Sequence, residues 1–325
     1  YPAVAYYFSS VSLVGIFANL LIVPLSGLLL GFGLLSVLLG AVCLPAGIFA
    51  AGSVYAILQA FKIVCTALVR LPFAYVLVGC PSYLSIVLYY VLLFFVLEYG
   101  GRKGSWKVGA VLSAALFCAV FENPLFRKEN TIGFLDVGQG DAAVISTYDG
   151  TAYLVDGGGK FGQDFGENVG KRIVLPYLEY LGVSALDGAF LSHPDSDHMT
   201  GLLEVLETVP TKGLYLSDYA FAENEQTDFL KEMVEKHNIP LYTIKTGDSS
   251  LEDMFLCLYP TGASAGTGEE NQGSMVLRYS YGATKVLFTG DITAEEEQQL
   301  LEQNISADVL KVAHHGSKYS SDVTF

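Results

Sequence analysis

Long apolar runs fill the first third of the chain, and short apolar runs separated by turn residues fill the rest. Residues 3–23 and 25–44 are apolar and are followed by Pro24 and Pro45. A helix needs about 20 apolar residues to cross a bilayer, so both runs predict membrane helices. Shorter apolar runs at 82–97 and 106–121 predict two further spans.

Polar and small residues modify this membrane pattern at two places. Gly27, Gly31 and Gly33 are expected to let helices approach closely in lipid. Between 53 and 70, polar residues recur every three or four positions, at Gln59, Lys62, Thr66 and Arg70. This spacing predicts an amphipathic helix that lies at the membrane interface or lines a polar path.

From Thr131 onward the pattern becomes that of an α/β domain. β-type runs at 132–137, 142–147 and 152–155 are separated by turn residues, and Asp149-Gly150 is a hairpin signal. Further strands are predicted at 187–192, 214–216, 241–244, 255–259, 274–279, 284–288 and 308–313, and helices at 168–180, 200–207, 227–237 and 294–303. Two β-sheets with helices outside, an αββα sandwich, are the predicted architecture.

Charge divides the chain at the same place. Residues 1–61 contain no Asp, Glu, Lys or Arg, and the first 125 residues carry a net charge of +3. The remaining residues carry a net charge of −18, and the two parts together give the total of −15. We therefore predict a polytopic transmembrane domain over 1–125 and an acidic, water-soluble domain over 130–325.

The orientation of the membrane part follows from one loop. Residues 99–107 carry Arg102, Lys103 and Lys107 and no acid. By the positive-inside rule this loop is cytoplasmic, and the soluble domain is then delivered to the outer face. The chain begins at Tyr1 without the basic segment of a signal peptide, as expected of a fragment. Only Cys257 lies in the soluble part, which excludes a disulfide scaffold and a Cys-rich zinc site there.

The densest chemistry lies in six residues, His193-Pro194-Asp195-Ser196-Asp197-His198, directly after a predicted strand. Two imidazoles and two carboxylates so close together are costly to bury unless something satisfies them. A divalent cation would do so, whereas a solvated polar loop is the alternative. The pair His314-His315 also follows a predicted strand.

Polar groups recur at the ends of the other predicted strands. Asp136 and Asp141, Asp156-Gly157-Gly158-Gly159, and Thr289-Gly290-Asp291 each follow or end an apolar run. Strand ends converge on one edge of a layered α/β domain, where ligands bind. One composite site is therefore predicted.

These motifs resemble those of a known superfamily. HPDSDH is similar to the metallo-β-lactamase motif HxHxDH with Asp195 at its second histidine, and VDGGG, FTGD and ADVLKVAHHGS resemble other motifs of that fold. FLDVGQGDA, at 134–142, resembles the start of the module in ComEC-type competence proteins, the inner-membrane DNA-uptake channels of bacteria. The resemblance implies a polytopic competence domain joined to a metallo-β-lactamase-like αββα domain.

The chain departs from the superfamily pattern in two respects. A middle histidine, expected between 210 and 290, is missing, and Asn271 or Ser274 stands near its place. His237 is predicted to be a surface residue of a helix. The resemblance also implies a final strand and helix beyond Phe325, so the domain is expected to be truncated at its C-terminus.

The resemblance and the donor types together give the candidate site. The expected metal ligands are His193, Asp195, Asp197, His198, Asp291, and His314 or His315. Such an oxygen-rich set favours two Mn²⁺ ions, with Mg²⁺ or Zn²⁺ as alternatives. Asp291 is expected to bridge the ions and Asp197 to orient the attacking water. Asp136, Asp141, Asp156, Gly157 and Gly158 are expected to support the site or form turns, with the glycines letting backbone amides approach the metals. Ser317 and Lys318 are candidates for holding a substrate phosphate or are ordinary loop residues.

The expected function is DNA uptake through a multi-pass protein of the bacterial cytoplasmic membrane, with an outward-facing nuclease domain that degrades the non-transported strand. A net charge of −18 argues against tight binding of duplex DNA over a broad surface, so local cations must hold the strand. The alternatives are a catalytically inactive module of a transport protein and a membrane-anchored phosphodiesterase for a small ester. DNA, membrane lipid, other competence proteins or a second copy are the expected partners.

Overall fold

The computed structural model of the chain describes residues 2–72, 74–99, 107, 109–114, 130–159, 168–217, 225–260 and 273–325. The chain divides into two compact units, Tyr1–Phe121 and Glu122–Phe325. Each unit is considered separately below.

The first unit is helical in most of its described residues. Its elements are α1 (Pro2–Phe8), β1 (Ser10–Val11), α2 (Gly15–Val42), α3 (Leu44–Val69), β2 (Val76–Leu77) and α4 (Tyr83–Tyr99). Within the described part of the chain, α2 and α3 are long and apolar enough to cross a membrane, whereas α4 is a shorter apolar helix.

The predicted helix boundaries in this unit were partly wrong. Pro24 lies inside α2 and does not separate two helices. Proline is tolerated in membrane helices because neighbouring groups satisfy the backbone it frees. The amphipathic segment 53–70 is likewise not a separate helix, since residues 53–69 form the second part of α3. Most of the predicted span at 106–121 and most of the basic loop at 99–107 lie outside the described residues.

The close approach of α2 and α3 occurs at different glycines from those predicted. A Cβ at Gly47 would lie 2.5 Å from the Cα of Gly40, and the Ser36 hydroxyl donates a hydrogen bond to the Gly47 carbonyl at 2.9 Å. Gly27, Gly31 and Gly33 have open space around them. The contact lies beside the turn because the two helices are joined by Cys43 alone.

The second unit contains two β-sheets. One has the order β3-β4-β5-β6-β7-β8 and the other the order β13-β12-β11-β10-β9. The strands are β3 (Thr131–Phe134), β4 (Ala142–Ser146), β5 (Ala152–Gly157), β6 (Gly188–Leu191), β7 (Leu214–Ser217), β8 (Leu241–Ile244), β9 (Ser249–Ser250), β10 (Phe255–Tyr259), β11 (Val276–Tyr281), β12 (Thr284–Phe288) and β13 (Val309–Lys311). From β5 to β8 the strands are parallel, and β13 is parallel to β12.

Helices cover the outer faces of both sheets. They are α5 (Leu175–Leu181), which continues a π-helical turn at Gly170–Val174, then α6 (Ser196–Leu206), α7 (Glu225–His237) and α8 (Ala294–Leu300). Side chains of β5 alternate between two cores, because Leu154 packs with the helices and Val155 packs between the sheets. A third core includes Leu287 and Leu300 on the outer side of the second sheet. The predicted αββα sandwich is confirmed.

The turn between β3 and β4 packs tightly on the start of α6. Gly140 has a φ of +100°, and a Cβ there would lie 1.9 Å from the carbonyl oxygen of Asp197. Gly138, two residues earlier, has a φ of +81° and open space around it. Both positions favour glycine for their backbone angle, but only Gly140 also requires the missing Cβ for packing.

Replacement of these two glycines by alanine should separate backbone strain from steric overlap. We expect Gly138→Ala to cost about 1 kcal/mol, the strain of a left-handed residue. Gly140→Ala should cost about 3 kcal/mol or more, because overpacking adds to the strain. Differential scanning calorimetry of the whole chain in detergent would measure both. Equal losses would show that the contact with Asp197 is not a constraint.

Candidate metal centre

The six-residue motif 193–198 begins just after β6 and runs into α6. His193 and His198 are fully buried, whereas the side chains of Asp195 and Asp197 are about one-quarter exposed. The imidazoles lie against each other with ring centroids 4.2 Å apart, and His193 Nε2 is 3.4 Å from Asp195 Oδ2. The motif therefore presents its carboxylates at the surface and its histidines below them.

Asp156, in β5, fixes the orientation of His198. Its Oδ1 accepts a hydrogen bond from the backbone N–H of Ser192 at 2.7 Å, and its Oδ2 lies 3.0 Å from His198 Nδ1. Asp156 is 3% exposed and has a φ of +56°, in the left-handed region. Backbone strain of this kind persists where the surroundings demand it, commonly at functional sites.

Ser192 also contributes, although it is not among the predicted site residues. It is buried, and its hydroxyl lies 3.0 Å from His193 Nδ1 and 3.4 Å from His198 Nδ1. One hydroxyl thus contacts both imidazoles. Its position directly before the motif was the only available signal.

The glycines after Asp156 serve the packing of α6. A Cβ at Gly157 would lie 1.9 Å from the backbone nitrogen of Leu202, and the Gly158 carbonyl accepts a hydrogen bond from Gly201 N–H at 2.8 Å. The structure thus gives these glycines a packing role, and the approach of their backbone amides to a metal stays a prediction. They let the helix that carries His198 lie directly on the end of β5.

Asp291 joins the two groups of histidines. Its Oδ1 lies 3.3 Å from His198 Nε2, and its Oδ2 lies 3.1 Å from His315 Nε2. The backbone N–H of Asp291 donates to the hydroxyl of Ser274, which is fully buried. Ser274, one of two residues near the place of the missing histidine, therefore supports Asp291. The other, Asn271, lies outside the described residues.

The histidine pair is divided between two environments. His315 contacts Asp141, Asp197 and Asp291, whereas the backbone N–H of His314 donates to the Gly290 carbonyl. Both residues have left-handed backbone angles, with φ of 49° and 53°. The structure thus brings His315, and not His314, into the carboxylate cluster.

Asp141 and Asp136 were predicted to have similar roles, but they lie in different surroundings. Asp141 approaches His315 Nδ1 at 3.3 Å and forms an ion pair with Lys311, whose side chain is 14% exposed. Asp136 is exposed and accepts a hydrogen bond from the N–H of Gly138. Asp136 is therefore a turn residue, whereas Asp141 belongs to the cluster.

Four side chains come close enough to share one cation. One ligand atom from each of Asp141, His198, Asp291 and His315 lies within 4.8 Å of the others. His193 and Asp195 lie beside this group through the contact of His193 with His198. Neither Ser317 nor Lys318 has a described contact with it, and the Lys318 ammonium lies 4.7 Å above the Tyr319 ring.

Unsatisfied buried atoms show that the donor set suits a cation. His193 Nε2, His198 Nε2 and Asp291 Oδ1 are buried and have no hydrogen-bond partner among the described residues. Since His198 Nδ1 faces Asp156, a neutral imidazole directs its Nε2 lone pair towards the Asp291 oxygen. Two facing lone pairs repel unless a proton or a metal ion lies between them.

The electrostatics of the metal-free site favour a proton at this place. Burial alone would lower the pKa of His198, but the charge of Asp156, its hydrogen bond to His198 and the contact with Asp291 raise it to about 10. Hydrogen bonds to Asp141, Asp197 and Asp291 raise the pKa of His315 to about 11. Burial would raise the pKa of Asp291, yet contacts with His198 and His315 hold it far below its usual value.

Comparison with known proteins agrees with the fold and with the division of the chain. The sequence model of the metallo-beta-lactamase superfamily matches residues 135–325, and that of the competence protein family matches residues 1–103. The crystal structure of a metallo-beta-lactamase from Hirschia baltica is 16% identical, covers 50% of this chain and 66% of that chain, and has a TM-score of 0.30.

Curated proteins are similar to more than half of the chain. ComE operon protein 3 of Bacillus subtilis is 26% identical over 248 residues, which are 72% of this chain and 31% of that protein. Recombination protein 2 of Haemophilus influenzae is 33% identical over 188 residues, 58% of this chain and 21% of that protein. The chain thus spans about a third or less of the length of these relatives. The chain belongs to the metallo-beta-lactamase superfamily, and it is similar to competence proteins, whose family model matches its first 103 residues.

Proposed function

We propose that the chain is part of a DNA-uptake protein in which residues 1–125 form a polytopic membrane domain and residues 130–325 form a metal-dependent nuclease. The observation that carries the nuclease proposal is the buried, unsatisfied pair of His198 Nε2 and Asp291 Oδ1, 3.3 Å apart in a carboxylate-rich cluster. Similarity to competence proteins supplies the context of DNA uptake.

The proposed metal ligands fall into two overlapping groups. His198, Asp291, His315 and Asp141 are one group, and His193 and Asp195 with Asp291 are the second. Both carboxylate oxygens of Asp291 contact histidines of the first group, and a bridge from Asp291 to the second group is part of the proposal. Oxygen-rich ligand sets favour Mn²⁺ or Mg²⁺ over Zn²⁺. Bound ions would polarise the phosphate and lower the pKa of a water molecule.

The protein's own contribution is orientation and proton handling. Asp156 holds the His198 ring, and Ser192 contacts both His193 and His198. Asp197 is partly exposed and lies 3.4 Å from His315 Nε2. Its position at the surface of the cluster suits a carboxylate that orients a water molecule and accepts its proton.

The orientation of the protein is also part of the proposal. The basic residues of 99–107 favour a cytoplasmic position for that loop and an extracytoplasmic nuclease.

A catalytically inactive module is the second candidate function. It is favoured by Ser274, which is a hydrogen-bond partner of Asp291 near the place where the superfamily has a histidine.

Nuclease activity can be tested with the purified whole chain in detergent, Mn²⁺ and a fluorescent DNA strand. We expect cleavage that EDTA abolishes, and a loss of about 100-fold or more in Asp291→Asn and Asp197→Asn. Asp228→Asn, on the exposed face of α7, removes an equal charge and should cleave like the parent chain. Stoichiometric Mn²⁺ binding by the parent chain without any DNA cleavage would instead support the inactive module.

Competition between protons and metal gives a second prediction. The raised pKa values of His198 and His315 stabilise the metal-free fold fully below pH about 6.5, and this stabilisation is lost as the pH rises towards 10 and 11. The lowered pKa values of Asp197 and Asp291 stabilise it above pH about 4 and cease to do so as the pH falls. Stability with EDTA should therefore be greatest between these limits.

Mn²⁺ should reverse the upper part of this profile, because the ion requires neutral imidazoles. The increase in unfolding temperature caused by Mn²⁺ should be larger at pH 8 than at pH 6, as measured by calorimetry in detergent. An increase that is equal at both values would contradict a site in which the ion replaces histidine protons.

A further inference from the structure

Lys311 is a cation of the protein itself that lies inside the aspartate cluster. It ends β13, and its ammonium contacts Asp141 and lies 3.4 Å from the Gly290 carbonyl oxygen. Its side chain is 14% exposed, so most of the lysine is removed from solvent. Buried lysines retain their charge only beside groups of opposite charge.

The charge of the cluster explains why a cation is needed there. Five negative charges come from Asp141, Asp156, Asp195, Asp197 and Asp291, and the positive charge of Lys311 neutralises one of them. Two divalent ions would balance the remaining four, with neutral histidines. Without the lysine, these residues with two ions would keep one negative charge and repel an anionic phosphodiester.

The position of Lys311 allows it to serve a ligand as well as Asp141. A cavity of about 60 Å³ adjoins it, and the polar part of its lining comprises Asp141, Asp156, Ser192, Gly290 and Lys311. This space is sufficient for water molecules around the ammonium. Lys311 therefore borders free space as well as the Asp141 carboxylate.

We propose that Lys311 is the substrate-binding cation of the site, selecting an anionic phosphate group by contacting its oxygen while Asp141 is shared with the metal. This inference rests on the proposed metal-dependent nuclease and names the group that makes an aspartate-rich centre accept an anion. It requires that loss of the lysine weaken anion binding without weakening metal binding.

The alternative is a purely structural role. Asp141 precedes β4 of one sheet and Lys311 ends β13 of the other, so their ion pair joins the two sheets at the site edge. If the lysine only held the sheets together, Lys311→Met would displace Asp141 and His315 and reduce metal affinity. The two roles therefore differ in their effect on metal binding.

Two titrations of the whole chain in detergent separate these roles. Mn²⁺ affinity is measured by electron paramagnetic resonance, and inorganic phosphate affinity of the Mn²⁺-bound chain by calorimetry. In Lys311→Met we expect phosphate affinity to fall about 10-fold or more, the effect of one charged hydrogen bond. Mn²⁺ affinity should stay within about threefold or become tighter, because Asp141 loses a competing cation.

Matched variants complete the experiment. Lys311→Arg keeps the charge and should retain phosphate binding better than Lys311→Met. Lys285→Met removes a lysine from the opposite end of the neighbouring strand β12 and should bind both ligands like the parent chain. Unchanged phosphate affinity in Lys311→Met, or a parallel loss of Mn²⁺ affinity, would overturn the proposal, as would failure of the Mn²⁺-bound parent chain to bind phosphate.

DNA cleavage by the parent chain, measured separately, distinguishes this proposal from the nuclease itself. Cleavage combined with phosphate binding that does not depend on Lys311 would refute the role of the lysine and leave the nuclease intact. Lysine-dependent phosphate binding without cleavage of DNA would support the role of the lysine and refute the nuclease.

Discussion

The contact between the Asp156 carboxylate and His198 Nδ1 is the interaction on which the rest of the site depends. It fixes the ring so that Nε2 faces Asp291 in a buried, unsatisfied pair. Because that pair is stable only with a proton or a metal ion in between, the fold itself creates the demand for a cation. The other carboxylates, which lie near the strand ends, add negative charge that a cation must also neutralise.

Close backbone packing makes this contact possible. Gly157 and Gly201 lie so near each other that a Cβ at Gly201 would be 2.0 Å from the Gly157 carbonyl oxygen. The helix carrying His198 therefore rests directly on the strand carrying Asp156. After the last strand of the second sheet, the backbone has left-handed angles at His314 and His315, and the His315 side chain lies in the carboxylate cluster. Strain at both sides is the cost of assembling the cluster.

The strong acidity of the second unit is compatible with a DNA substrate if attraction is concentrated at the metal centre. A broad basic surface would bind a strand tightly and slow its release, since phosphate contacts dominate such affinity. A site where Lys311 and bound ions supply the positive charge would hold one phosphate at a time. That property suits processing of a strand better than storage.

The sequence by itself determined the features that local patterns encode. Apolar run length separates the membrane segment from the domain, and strand-type runs predict the αββα sandwich, because burial of periodic apolar faces is a local demand. The motif 193–198 was also evident, because its ligand types are adjacent. Only the tertiary structure placed Asp141 beside His315, 174 residues away, and left Asp136 in solvent. It likewise revealed the ion pair of Lys311, the role of Ser192, and the Gly40–Gly47 contact. These contacts depend on which loops and helices meet in space, and no spacing along the chain specifies that.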